Sequence, residues 1–559
     1  MKYRKRFPFF LMLCGVVLFF SCGDDSKKPP EKDIVNKPEK APERLSEDIQ
    51  KMIEYAEKNQ SAINDSVHLK YMHLDSGLYE DKKFESIWSN KEKWNPIADS
   101  LYSFIDSCRY YGLFASDYHF GSLSFIHRVL NEDTIARKNV ALWARADLLM
   151  TDAFFSLVKD LKQGRLDYDS VTLRKDSVLN DSIFTTAFQQ ALQSGSVSST
   201  FHSLEPKHAG YDSLKLYTRD FLANAKFTPF TYLNYPYKDS ITFFKSLQTR
   251  LHELNYLTSD STQPDTTTLK PAIRKYQKAK NLTITGRVNE KLVNALNETD
   301  IEKFKRIAVT LDRYKLLPDS LPKTYIWVNL PGFNLKVMDS DTLVFESKVI
   351  VGKPDTRTPL LTSDVSNFVT FPQWTVPTSI IFKEMLPQIQ KNIAYLKKEN
   401  LIVVDNNDDV VDPAKVKWKK LSKKYFPYQI KQQEGDNNSL GVIKFNFRNK
   451  YSVYMHDTNV RWMFGKAFRA LSHGCVRVQQ WEKMSDFLTR NDTMKYHPDT
   501  LRAWIKRQEK HVVSGFQKVP VYFRYFTAEG KNGHVKFYDD IYAEDKFLRE
   551  KYFAMKRID

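Results

Sequence analysis

The chain has 559 residues, 42% apolar and 14% aromatic, enough for several cores and too long for one domain at about 150 residues each. Its formal charge of +18 is dispersed rather than striped, which argues against nucleic acid and fits an anionic polymer, a membrane surface or an ordinary solvated exterior. The four cysteines form no obvious paired framework, so disulfides are not expected to hold the fold.

Lys2, Arg4, Lys5 and Arg6 precede an apolar run from Phe7 to Phe20, short for a membrane helix and right for an export signal over residues 1–21. The run ends in Phe19-Phe20-Ser21-Cys22. This resembles the lipobox of bacterial lipoproteins, whose cysteine is acylated and becomes the mature N-terminus, although Phe19 departs from the usual aliphatic residue. Plain secretion with cleavage nearby is the other reading. Residues 22–45, rich in Lys, Pro and Glu, can bury no core and are expected to be a flexible tether.

Residues 46–230 read as a helical scaffold without a catalytic cluster. Ser46 opens a helix carrying Ile49, Met52, Ile53 and Ala56. Pro96 to Tyr111 is a second, stopped by Gly112 and holding Cys108 as a core thiol. Thr134 to Lys162 is the longest, and others follow at Ser182–Gln193 and Tyr211–Ala225. Over 236–298, Ile241, Phe244, Leu247, Leu251 and Leu254 share one helix, Leu269, Ile273 and Tyr276 a second, and Thr285-Gly286-Arg287-Val288 turns into a third. That order is similar to the small peptidoglycan-binding modules of wall enzymes, which usually have Phe where Tyr276 stands. A linker helix is expected over 301–322.

After Pro322 the period changes to that of strands, at Tyr325–Leu330, Phe333–Met338 and Leu343–Val351, and later at Val442–Phe447 and Tyr451–Met455, a hairpin across Arg448-Asn449-Lys450. Period two places Ser452, Tyr454 and His456 on one face, where two hydroxyls can orient the ring. Residues 378–439 interrupt this domain with a mostly helical, polar insertion, a candidate lid. The fold class is therefore multi-domain α+β. It comprises a helical scaffold, a three-helix module and a mostly β domain over 323–490 with a helical insertion, then an extension, 491–559, packing on that domain.

The chemistry concentrates in Leu471-Ser472-His473-Gly474-Cys475-Val476-Arg477, which starts 17 residues after the start of Tyr454-Met455-His456-Asp457-Thr458. A thiolate attacks carbonyl carbon, and a neighbouring imidazole usually generates it. Cys475 is the candidate nucleophile. Gly474 lacks a side chain, so backbone N–H groups can approach a developing oxyanion. His473, two residues from Cys475, would point away in an extended turn, so the geometry favours His456 as base. Arg477 either clamps a substrate carboxylate or braces the turn.

Ser472-His473-Gly474-Cys475-Val476-Arg477 after a His-x-Thr element resembles the signature of bacterial L,D-transpeptidases, specifically the large, anchored, multi-domain members. Gly112-Leu113-Phe114 with Asp117-Tyr118-His119, Trp374-Thr375-Val376-Pro377 and Ser439-Leu440-Gly441 before Lys444-Phe445 extend the resemblance. Most members have Gly where Asp457 stands, and Glu434-Gly435 replaces their Pro-Gly. The resemblance implies Cys475 as nucleophile, His456 as base, and the Asp457 backbone orienting the ring. It implies that Ser472, His473, Gly474 and Arg477 shape the donor site and that Trp374 and Tyr454 line the pocket.

The implied reaction forms 3→3 crosslinks between donor and acceptor stem peptides through a thioester, without a cofactor, and makes carbapenems covalent inhibitors. L,D-carboxypeptidation and attachment of a protein to the wall share this chemistry. A zinc hydrolase using His456, Asp457, His473 and Cys475, and a non-catalytic wall-binding lipoprotein, are the rivals. The expected location is the periplasm, anchored to a membrane, the outer one on this reading, through Cys22.

Overall fold

The computed structural model describes residues 28–64, 67–167, 178–258, 266–280, 282–554 and 556. The export signal, Cys22 and the first tether residues lie outside them. No helix of the described residues is long and apolar enough to cross a membrane. The chain divides into two compact units. One takes the described residues up to Ile105 with Asp117–Leu157 and Asp181–Ser199, and the other takes most of the rest.

The first unit is helical: α1 (Ala41–Lys58), α2 (Met72–Asp81), α3 (Pro96–Ser107), α4 (Phe120–Glu132), α5 (Thr134–Arg137), most of α6 (Val140–Lys162), α7 (Asp181–Ser194) and the start of α8 (Val197–Leu204). Its interior is aromatic, with Tyr79, Trp88, Phe154, Phe155 and Phe188 buried. Asp147 is buried there too and accepts from Tyr79, Ser86, Ile87 and Trp88, so the carboxylate replaces its water shell with four donors.

Two expectations change here. The tether was expected to run to residue 45, but Ile34 bridges Asn139, Asp33 N–H donates to Asn139 Oδ1 at 2.8 Å, and α1 begins at Ala41. The same pairing breaks the long helix expected from Thr134. Val35 N–H donates to Lys138 O and Val140 N–H to Asp33 O, so Lys138 and Asn139 lie outside any helix, α5 ends at Arg137 and α6 starts only at Val140.

In the second unit, α9 (Ala209–Asn224) precedes three short helices, α10 (Ser240–Glu253), α11 (Thr266–Ala279) and α12 (Glu290–Asn297), which share one core. Gln277 Oε1 accepts from the N–H groups of Thr285 and Gly286 and so pins the turn. The Tyr276 hydroxyl donates to Ala295 O at 2.7 Å, a bond that Phe would forgo.

The expected linker helix is instead a core element. α13 (Asp300–Tyr314) is buried at every residue from Phe304 to Tyr314. Ile307, Leu311 and Tyr314 pack on Tyr211, Leu214 and Phe526, while Phe304, Ala308 and Val309 pack on Phe114, Leu548 and Phe553. A Cβ on Gly112 would stand 2.9 Å from Leu311 Cδ1, so only glycine lets that chain approach α13. The helix charges are paired rather than solvated: Arg313 meets Asp545 and Glu544, and Lys305 and Arg549 meet Glu302.

The β domain is built on β1 (Thr324–Asn329), β2 (Asn334–Asp339), β3 (Thr342–Gly352), β4 (Leu361–Thr370), β5 (Ile443–Phe447), β6 (Met455–His456), β7 (Ala470–Ser472), β8 (Val476–Val478) and β9 (Val512–Arg524). They form one sheet in the order β7-β3-β8-β6-β5-β4-β9-β1-β2, and a further β2–β3 pairing joins its ends. The insertion begins on helices as expected, at 378–391 and 394–398. It then forms a four-stranded sheet from Trp374–Thr375, Gln429–Gln432, Leu401–Val404 and Val410–Val411, with its own core of Ile381, Leu401, Val403, Trp418 and Ile430.

If α13 is core, Ile307→Ala should cost about 2–5 kcal/mol of stability, and Ile284→Ala, at a position 54% exposed, less than about 1 kcal/mol. Denaturant titration followed by fluorescence measures both, and equal losses would return α13 to the role of a linker.

Candidate active site

β6 and β8 run parallel, with Met455 opposite Val476 and His456 opposite Arg477. β5 flanks β6 on its other edge, with Lys444 opposite His456 and Phe445 opposite Met455. Side chains alternate along a strand, so Phe445, Met455 and Val476 turn into the main core. Lys444, His456 and Arg477 turn the other way. Tyr454 and Cys475, one residue before their strands, extend this register, as the 3.1 Å bond from Val476 N–H to Tyr454 O shows. The sheet thus brings thiol, phenol, imidazole and two cations to one face, with Cys475 and His456 diagonal across adjacent strands.

The expected strand from Tyr451 is shorter than its periodicity suggests. Ser452 has φ +56° and is exposed, so it shares no face with His456, and of the two hydroxyls only Tyr454 remains beside the ring, at 5.6 Å between centroids.

Desolvation dominates the electrostatics of this face. Burial, then the Arg477 charge, pushes His456 down to about 3 against weaker opposing pulls from the Asp457 and Leu440 backbone, so the ring is neutral. Burial pushes the Cys475 thiol up, and the Tyr454 amide and hydroxyl with the Lys444 and Arg477 charges offset this in part. Burial also lowers Lys444 and Arg477. Neither cation meets a carboxylate among the described residues: Lys444 lies 4.2 Å from the Tyr454 ring centroid and Arg477 Nη1 is 3.7 Å from Met463 Sδ. The resting pair is therefore thiol and neutral imidazole rather than thiolate and imidazolium.

The turn before Cys475 holds itself. Ser472, expected to shape the substrate site, uses its hydroxyl internally, donating to Cys475 O at 2.6 Å and accepting from Gly474 N–H at 3.1 Å. Gly474 sits at φ +122°, a region closed to other residues, and with its own N–H engaged it is not a free oxyanion donor. Thr358 Oγ1 donates to Gly474 O at 2.8 Å and accepts from Gly352 N–H. Tyr542, in the C-terminal extension, accepts from Thr358 N–H and donates to Gly352 O at 2.7 Å.

The other expected residues divide between site and frame. His473 Nε2 lies 2.6 Å from Glu384 Oε1 of the insertion, so it faces that segment rather than Cys475. Trp374 Nε1 is buried beside the Tyr454 hydroxyl. Asp457 is fully buried; its carboxylate accepts from Val442 N–H at 3.1 Å and from Arg461, tying β5 to the residue after the ring.

Three regions match protein families: 76–217 a scaffold domain, 243–296 a "Putative peptidoglycan binding domain" and 323–500 the L,D-transpeptidase catalytic domain. A curated "Putative L,D-transpeptidase" of Haemophilus influenzae is 34% identical over 250 residues, 43% of this chain and 48% of that protein. Through residues 323–500 the chain is similar to the L,D-transpeptidase catalytic domain. It spans about half the length of that curated relative. Among solved structures, an L,D-transpeptidase from Xylanimonas cellulosilytica is 12% identical with a TM-score of 0.14, covering 53% of this chain and 98% of that one. The Ldtfm–avibactam carbamoyl enzyme is 14% identical with a TM-score of 0.17, covering 56% and 96%.

Sequence reading missed Thr358, Tyr542, Arg461 and Glu384 as parts of this site. None lies in the cysteine motif, and Tyr542 is 67 residues beyond it. Lys444 stands in the Lys444-Phe445 stretch that carries part of the resemblance, which gives it no role by itself. Its place opposite His456 required the register.

With burial raising the thiol, iodoacetamide alkylation of Cys475 should climb steadily with pH and reach no plateau below about pH 9. An inflection between about pH 5 and 7, the range of an ordinary imidazole, would mean an ion pair instead. Tyr542→Phe keeps the ring and removes both hydrogen bonds. It should slow that alkylation by about 3–10-fold while the unfolding midpoint moves little; an unchanged rate would free the turn from the extension.

Proposed function

We propose that this chain is a peptidoglycan L,D-transpeptidase working through a Cys475 thioester. The observation that carries this reading is the single sheet face holding thiol, neutral imidazole and two cations without acidic partners among the described residues. Sγ attacks the carbonyl carbon of the third residue of a tetrapeptide stem while its proton passes to His456. The tetrahedral carbon collapses, the bond to terminal D-Ala breaks, and His456 returns the proton to the leaving amine. A side-chain amine of a second stem then attacks the thioester, losing its proton to His456. Cys475 leaves as thiolate and is reprotonated, giving a 3→3 crosslink. Water in place of that amine makes the reaction an L,D-carboxypeptidation.

Each named group has a use in this scheme. A neutral His456 can accept a proton at once. Lys444 and Arg477 lower the cost of negative charge on sulfur and suit the terminal carboxylate of the donor stem. The Cys475 N–H takes over the oxyanion role expected from Gly474. The insertion, held at His473 by Glu384, acts as a lid that excludes water from the thioester. A zinc centre fits this arrangement less well, because His473 turns to Glu384 and Asp457 to Arg461, and the four ligand types do not converge. Export, acylation of Cys22 and a periplasmic, membrane-anchored location complete the proposal and follow from residues 1–22 alone.

On this mechanism a carbapenem leaves a stoichiometric adduct by intact mass on the native chain and none on Cys475→Ala. His456→Ala should slow acylation by about 10²–10⁴-fold and His473→Ala much less. An adduct on Cys475→Ala, or the opposite ranking of the histidines, would overturn the assignment.

A further inference from the structure

Residues 413–426 of the insertion, Pro-Ala-Lys-Val-Lys-Trp-Lys-Lys-Leu-Ser-Lys-Lys-Tyr-Phe, carry six lysines and no acidic residue. The segment is built rather than loose. Val416, Trp418 and Leu421 are buried in the insertion core. Trp418 Nε1 donates to Pro413 O at 2.9 Å, and Gln390 donates to the carbonyls of Trp418 and Leu421. With those three side chains turned inward, Lys415, Lys417, Lys419, Lys420, Lys423 and Lys424 are all exposed. None of the six forms an ion pair or a hydrogen bond among the described residues, whereas Lys431 nearby pairs with Asp408. Tyr425, at the end of the run, is 64% exposed.

We infer that this face docks on the surface of an anionic phospholipid membrane. Six unpaired positive charges held within ten residues by a rigid backing create a field that a diffuse negative surface matches. Every basic residue of 378–439 is lysine and none is arginine. A compact ammonium suits a crowd of mobile phosphates, whereas a site for individual carboxylates favours the planar fork of arginine. Tyr425 beside the lysines supplies the amphipathic ring that settles at a lipid headgroup boundary. The contact needs neither Cys475 nor His456 and stands apart from the transpeptidase reading.

Lysine acylation footprinting of the full chain, read residue by residue by mass spectrometry, tests this. It is run with vesicles of phosphatidylcholine containing about one-third phosphatidylglycerol, with pure phosphatidylcholine vesicles, and with soluble polyphosphate. Labelling of Lys417, Lys419, Lys420, Lys423 and Lys424 should fall by roughly threefold or more on the anionic vesicles. It should stay unchanged on the neutral ones and recover between about 50 and 500 mM salt, while the exposed Lys275, Lys278 and Lys291 serve as reference. The triple variant Lys417→Glu, Lys420→Glu, Lys424→Glu should lose protection at Lys419 and Lys423. The control Lys275→Glu, Lys278→Glu, Lys291→Glu, with the same change in net charge, should retain it. Equal labelling with and without anionic vesicles, equal protection on neutral ones, or protection by polyphosphate alone overturns the proposal.

Discussion

Everything at the candidate site depends on the register between two very short strands. Met455–His456 and Val476–Val478 pair in parallel, and that pairing alone sets which side chains leave the core. A slip of one residue would send Met455 and Val476 outward and bury His456 and Arg477 among hydrocarbon. The register is defended from both edges, by β5 through Lys444 and Phe445 and by β3 through Ile350 and Val349 opposite Arg477 and Val478. With one face committed to Phe445, Met455 and Val476, the opposite face collects every polar group these strands carry.

That collection has an electrostatic consequence. A thiol, an imidazole and two cations share a poorly hydrated surface, with no carboxylate paired to either cation among the described residues. Burial and like charge both oppose an imidazolium, so the ring stays neutral, and burial keeps the sulfur protonated despite the cations beside it. The site stores positive field in Lys444 and Arg477 rather than in the base. Such a field favours negative charge that arrives or develops during reaction and does little for the resting state.

The frame that holds this arrangement reaches far along the chain. The cysteine turn is closed by Ser472, braced by Thr358 and locked by Tyr542, from an extension that packs on the domain as expected only after it has given the sheet an interior strand, β9. The same extension supplies Asp545 and Glu544 to Arg313, so it secures α13 and the turn together. Gly112 fits against the middle of α13, which explains why a glycine in the Gly112-Leu113-Phe114 stretch is tied to a helix about 200 residues later.

Much of this was legible from residues alone. Apolar spacing located α3, α7, α9 and the three-helix unit within a few positions, and alternation located β1 to β3. The cysteine motif and His456 stood out because few residue types carry that chemistry. Other features were not local. The break at Asn139 comes from pairing with residues 33–35, which periodicity within α5 and α6 cannot register. The insertion read as helical because its strands are only two to four residues long, too short to show alternation. α13 read as a linker, when its Arg313 and Glu302 are paired with Asp545 and Arg549, more than 200 residues on. Composition and periodicity therefore determined which segments are helix or strand and which side chains could react, since those are properties of neighbours in the chain. Only the folded sheet decided that Lys444 and Arg477 stand beside Cys475, that the Gly474 N–H is already engaged and that the histidine is uncharged. Those outcomes rest on contacts and desolvation between residues that the chain keeps far apart.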